Sequence, residues 1–180
     1  MNELKLYIDS REKFEDRLLS LGGVMGEPRW FGNWYLETSS KRVLKVVLGG
    51  GMYSLLELRK LDKGYALAKE TPISDTASLR LNEVAEHNIL HKIVRPWMAG
   101  GQSVDVLVFD DIGAFACVNY EDGSMRNALD FIHARLGLRA PQYLEVPFNV
   151  LKRRRLGVPD FDDASHKAAK CQCDAIKGIT

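Results

Sequence analysis

The feature that most constrains the fold is the stretch RVLKVVLGGGMYSLLELRKLDKGYALAKE, residues 42–70. Residues 42–48, 52–61 and 65–70 are short runs rich in Val, Leu and Tyr, each bounded by turn residues. Gly49, Gly50 and Gly51 separate the first two runs, and Asp62-Lys63-Gly64 separates the second from the third. Connections this short join only antiparallel neighbours. The stretch is predicted to be a three-strand meander, so the chain must contain an antiparallel sheet.

The flanking sequence adds strands and helices. In ELKLYI, residues 3–8, Leu4, Leu6 and Ile8 share one face, and Glu3, Lys5 and Tyr7 share the other. A helix follows, with Ser10 as its cap, Phe14, Leu18 and Leu21 on its core side, and Gly22-Gly23 at its end. WFGNWYLE, residues 30–37, reads as an aromatic strand. Asp75 is placed to cap a helix reaching about Lys92, with Leu81, Val84 and Ala85 on one face. Residues 95–102 read as a break marked by Gly and Pro. Residues 104–109 and 114–120 are two further strands across an Asp-Asp-Ile-Gly turn. Ser124 then opens a helix with Leu129, Ile132 and Leu136 inward and Gly137 closing it. This order predicts an α+β fold: a curved antiparallel β-sheet or barrel-like tunnel with about three flanking helices. Residues 1–155 are expected to form one domain, and residues 156–180 a polar, flexible tail.

Composition narrows the function classes. The net charge of +1 gives no pull toward nucleic acid. No run approaches the roughly 18 apolar residues of a membrane span, and the start MNELKLYIDSREKFEDR is too charged for a signal peptide. Cys117, Cys171 and Cys173 make no disulfide framework, so a reducing cytoplasm is the expected location.

Two readings compete for the glycine-rich stretch. One takes Gly49 and Gly51 as a phosphate-cradling loop and Ala66-Leu67-Ala68-Lys69 as a strand delivering a phosphate lysine. With Glu83 and Glu86 on a following helix, Arg95-Pro96, and a hinge-like Asn119-Tyr120-Glu121-Asp122-Gly123, residues 49–132 resemble the small lobe of the protein kinase family. HRD-type and DFG motifs are missing, and Ser54 stands where a third loop glycine belongs. The other reading makes the glycines a hairpin turn. Lys45, Glu57, Arg59, Glu3 and Lys5 then project from several strands and can line a shared polar interior. Converging cations suit a polyphosphate, and a carboxylate among them, Glu3, is placed to hold Mg²⁺ or Mn²⁺ against the phosphates.

This second arrangement resembles the CYTH family of triphosphate-tunnel proteins, which includes class IV adenylyl cyclases, thiamine triphosphatases and inorganic triphosphatases. The matching residues are Glu3-Leu4-Lys5, Leu21-Gly22, Tyr35-Leu36-Glu37, Leu44-Lys45-Val46-Val47, Leu56-Glu57-Leu58-Arg59, Gly113-Ala114-Phe115-Ala116-Cys117-Val118-Asn119, Leu136-Gly137-Leu138 and Phe148-Asn149-Val150-Leu151. The resemblance covers residues 2–152. It implies an antiparallel tunnel that binds a nucleotide or polyphosphate with divalent metal and hydrolyses or cyclises it. Lys5, Lys45, Arg59 and Lys69 are the expected substrate-binding residues, and Glu3 the expected metal ligand. Cys117 and Asn119 stand where the family pattern has glutamates, and no catalytic residue can be named.

Plainer readings accompany these. Polar-out alternation is ordinary in antiparallel sheets, Asp110-Asp111 suits a turn, and Lys152-Arg153-Arg154-Arg155 reads as a solvated run. Cys171, Cys173 and His166 are the residues of a conceivable zinc site, at a spacing that matches no strong pattern. Loss of the acidic pair also suits a non-catalytic scaffold that binds a protein partner.

Overall fold

Gly50 and Gly51 take φ of +58° and +79°, and Gly100 and Gly101 take +55° and +79°. Two successive residues with positive φ make the tight turn whose twist matches paired strands, and each glycine pair joins neighbouring strands here. The structure, a computed structural model, describes residues 2–39, 41–61, 65–74 and 79–160. Among these residues the strands are β1 (Asn2–Tyr7), β2 (Val24–Met25), β3 (Arg29–Thr38), β4 (Arg42–Gly49), β5 (Met52–Lys60), β6 (Tyr65–Ile73), β7 (Ile89–Ala99), β8 (Gln102–Phe109) and β9 (Gly113–Tyr120). The helices are α1 (Arg11–Ser20), α2 (Met125–Asp130), which runs on into a π turn at Phe131–Arg135, and α3 (Phe148–Arg155).

All strands belong to one antiparallel sheet in the order β1-β9-β8-β7-β3-β4-β5-β6, with β2 added on β7. The sheet curls until its end strands, β1 and β6, come into contact. The fold is thus α+β on a curved antiparallel sheet, as expected.

The convex face carries most of the core. Ser10 caps α1 by accepting a 3.3 Å hydrogen bond from the Lys13 amide, and Gly22, at φ +71°, follows the helix end. Phe14 and Leu18 pack on Leu4, Leu6, Val106 and Val118, and Ala128 of α2 with Phe131 and Ile132 of the π turn belong to the same cluster. Burying these groups is the main favourable term of folding. A buried carboxylate locks α1 in place: Glu15 accepts from Arg95 Nε at 2.5 Å and Trp97 Nε1 at 3.4 Å.

Three expectations are corrected. No helix spans residues 81–92: Leu81–Glu83 and Glu86–Asn88 are 3₁₀ turns, and Ile89 begins β7. The expected cap, Asp75, lies outside the described residues, as does the 62–64 turn. Leu81 and Val84 still pack inward, against Leu36, Leu44, Val46 and Leu55, so their apolar spacing was informative although the conformation was not helical. Second, the break at 95–102 narrows to Gly100-Gly101, and Pro96 lies within β7. Pairing with β3 ends at Val94, and β2 pairs from Trp97, so Pro96, without an N–H, falls where one neighbour hands over to the other.

Third, the basic run is not solvated throughout. Lys152 and Arg153 are buried on α3. Lys152 Nζ lies 2.5 Å from Asp111 Oδ2 and donates to the Ile89 carbonyl at 2.9 Å. Arg153 Nε donates to Asn88 Oδ1 at 3.0 Å. Long basic side chains can bury their stems where the charged heads find such partners. Asp110-Asp111 does form the expected turn, which Lys152 then anchors. Cys171, Cys173 and His166 lie outside the described residues.

Asn88 is the hub of this attachment, because its Oδ1 also accepts from Asn149 Nδ2 at 3.1 Å. Asn88→Ala leaves two buried donors short of an acceptor and should cost about 3 kcal/mol. Urea unfolding should show a lower midpoint with an unchanged slope.

Candidate functional site

The concave face is built by the same alternation that buries Leu4 and Leu6. On β1, Glu3 and Lys5 point inward, where Glu3 pairs with Asn119 and Lys5 with Cys117 of β9. On β3, β4 and β7 the inward residues include Tyr35, Lys45 and Lys92. Together with Phe148 of α3 they line a cavity of about 230 Å³. Phe148, which lines the cavity, belongs to an aromatic cluster: Phe109, Phe115 and Phe148 have centroids 4.7–5.7 Å apart. Segment 142–144 closes the free edge of β1, the Leu144 amide donating to the Lys5 carbonyl at 2.9 Å.

Charge in the cavity is unbalanced. Lys5 Nζ sits 2.8 Å from Glu3 Oε1 and 5.1 Å from the Phe148 ring centroid. Lys45 Nζ donates to Asn33 Oδ1 at 3.3 Å and lies 5.4 Å from the Tyr35 ring centroid. Lys92 Nζ lies 5.9 and 5.8 Å from the Phe31 and Phe109 centroids. Among the described residues neither Lys45 nor Lys92 has a carboxylate partner.

The ionisation of these groups follows. Burial opposes the Glu3 carboxylate, but the charge and hydrogen bond of Lys5, with Lys92 and Lys45 beyond, hold its pKa at about 2. Burial likewise opposes the Lys5 ammonium, and the attraction of Glu3 outweighs it, so Lys5 stays charged above the usual lysine range. Lys45 has no such partner; burial, then repulsion from Lys92 and Lys5, lowers it to about 7. Burial also lowers Lys92. Burial and the charge of Glu3 keep the Cys117 thiol protonated.

The site therefore joins Glu3, Lys5 and Lys45, as the sequence suggests, and leaves out Arg59 and Lys69. Lys45 pairs with Leu56, so Leu56 and Leu58 point inward while Glu57 and Arg59 take the other face. Lys69 pairs with Glu57 and is exposed on that outer side. The kinase-like reading loses its phosphate lysine and its helix by the same observations. Sequence reasoning missed Lys92 because residues 75–92 were read as a helix. The β-branched run ILHKIV, residues 89–94, was the available signal.

The donors do not suit Mg²⁺ or Mn²⁺, which take hard oxygen ligands. Glu3 is the one carboxylate lining the cavity, and Lys5 engages it. Asp105, beside Cys117 on β8, accepts from Asn119 Nδ2 at 3.0 Å. Cys117 and Asn119 offer a protonated thiol and an amide. No cluster of three His, Cys, Asp or Glu with metal-binding geometry occurs among the described residues.

Solved structures place this architecture. A protein from Pyrococcus horikoshii OT3 superposes with a TM-score of 0.69 at 15% identity, covering 83% of this chain and 97% of that one. A conserved hypothetical protein from Pyrococcus furiosus gives 0.68 at 17%, covering 83% and 98%. HpAC1 from Hippeastrum, nominally an adenylyl cyclase and with a dominant triphosphatase activity, gives 0.54 at 13%, covering 87% and 96%. The chain has the CYTH-like fold. No family model matches its sequence, and no curated protein does. At these identities the likeness is one of fold. Within this curled half-barrel three strands send cations inward, and β9 presents Cys117 and Asn119.

The lowered Lys45 gives a signed pH dependence. Below about pH 7 the folded and unfolded states both carry its charge, and the burial penalty is fully present. As pH rises from about 7 toward the ordinary lysine value of 10.5, the folded state sheds the proton first and stability from this group increases. Lys45→Met should therefore be most stabilised relative to wild type near pH 6, with the gap shrinking by pH 9–10. Melting temperatures of the two proteins across that range test this.

Proposed function

We propose that the tunnel binds the phosphate chain of a phosphorylated small molecule, a nucleotide or a polyphosphate, through Lys5, Lys45 and Lys92. One observation carries this reading: three ammonium groups converge on one cavity whose lining holds a single carboxylate. An anion entering there supplies the missing negative charge and replaces an uncompensated buried state with charge-assisted hydrogen bonds. Glu3 serves this reading by orienting Lys5, and it holds no cation. The dominant triphosphatase activity of HpAC1, a protein of this fold, supports a phosphate ligand. The residues present support binding, and no hydrolytic step is assigned to them.

Calorimetry and thermal melting with tripolyphosphate and ATP test the proposal. Ligand at about 100 times its Kd should add about 2.7 kcal/mol of stability. Lys92→Ala and Lys45→Ala should each weaken binding by about tenfold, as loss of a charge-assisted contact does. EDTA should leave the affinity unchanged. At pH 8, binding should take up a proton, because an anion raises the pKa of Lys45. That uptake appears as a dependence of the binding enthalpy on the buffer's ionisation enthalpy. Absence of any shift with either ligand would refute the reading.

A further inference from the structure

The cavity has two unlike walls. β1, β4 and β7 contribute Lys5, Lys45 and Lys92. Beside them, β5 and β6 contribute Leu56, Leu58 and Leu67 to the lining; Lys60 and Glu70 share that face by register but do not line the cavity. Register makes this wall continuous: Val43 pairs with Leu58, and Leu58 with Leu67, giving an apolar row across three strands. Arg59 and Lys69 stand on the far face, and Lys60 is held over the Tyr65 ring, donating to the Glu145 carbonyl at 3.1 Å. Leu67 is 49% exposed although it lines the cavity. An inorganic phosphate chain gains nothing from such a surface, since every oxygen it carries seeks a donor or a cation. Half-exposed leucines beside a cationic pocket are instead what a ligand with an apolar portion would cover.

The charge count agrees. Glu3 already compensates Lys5, which leaves Lys45 and Lys92 as the cations available to a ligand. That suits a short phosphate group better than a long, highly charged chain. We infer that the cavity takes an organic mono- or diphosphate whose apolar carbon skeleton lies on the Leu56, Leu58 and Leu67 wall while its phosphate meets Lys45 and Lys92. This inference rests on the phosphate-binding reading above and narrows it to a class of ligand.

The test compares three probes by calorimetry: inorganic pyrophosphate, ADP with its polar sugar and base, and isopentenyl diphosphate with its branched hydrocarbon. Isopentenyl diphosphate should bind at least about tenfold more tightly than either of the others, the effect of covering roughly two methylene groups. Leu67→Ser should abolish that preference and leave the pyrophosphate Kd unchanged. Leu67 is half exposed on an end strand, so the variant keeps the core, and its melting temperature verifies this. Equal affinities for pyrophosphate and isopentenyl diphosphate would overturn the apolar wall and leave phosphate binding standing. So would a preference that persists in Leu67→Ser, or one that ADP shares. Failure of all three probes to bind would overturn both proposals.

Discussion

Alternation along an antiparallel strand ties the two faces of this sheet to each other. Leu4 and Leu6 must lie under α1, so Glu3 and Lys5 must face the interior. Ala116 and Val118 lie in the same convex core, which turns Cys117 and Asn119 inward. Trp97 and Ala99 do likewise on β7, whose inward set includes Lys92. A slip of one residue would exchange every pair at once. The apolar content of the convex core thereby holds the charged cavity in place.

The cavity is short of negative charge in its resting state. Lys5 has Glu3 within 2.8 Å, but Lys45 and Lys92 have aromatic rings and an amide where a carboxylate would be needed. Buried ammonium groups in that condition lose proton affinity, and an arriving anion relieves the deficit. Proteins of the CYTH-like fold include a triphosphatase. In this chain three strands send cations inward, and β9 presents a thiol and an amide beside them.

Polar ties between distant segments hold the surrounding parts in position. Glu15 joins α1 to Arg95 and Trp97 on β7. Asn88 and Asp111 receive the basic residues of α3 and thereby seat Phe148 beneath Lys5. Each tie satisfies a buried charge or amide, and removing one partner leaves the other unpaired. None has a local sequence signature, because the partners are far apart in the chain and both residue types are common on surfaces.

Much of the fold was legible in the sequence. The glycine hairpin at 49–51, the alternation of residues 3–8, the Ser10 cap and the apolar faces of Phe14, Leu18, Ile132 and Leu136 all depend on neighbours within a few residues, where local rules hold. Glu3 and Lys5 were recognisable as one face of their strand for the same reason. The tertiary structure decided the rest. Pairing between β3 and β8 made residues 89–99 a strand and added Lys92 to the site. The β4–β5 register sent Arg59 outward and Leu56 and Leu58 inward. The sequence by itself determined which residues alternate; only the curled sheet determined which of the two faces became the inside, because that depends on strands separated by the length of the chain.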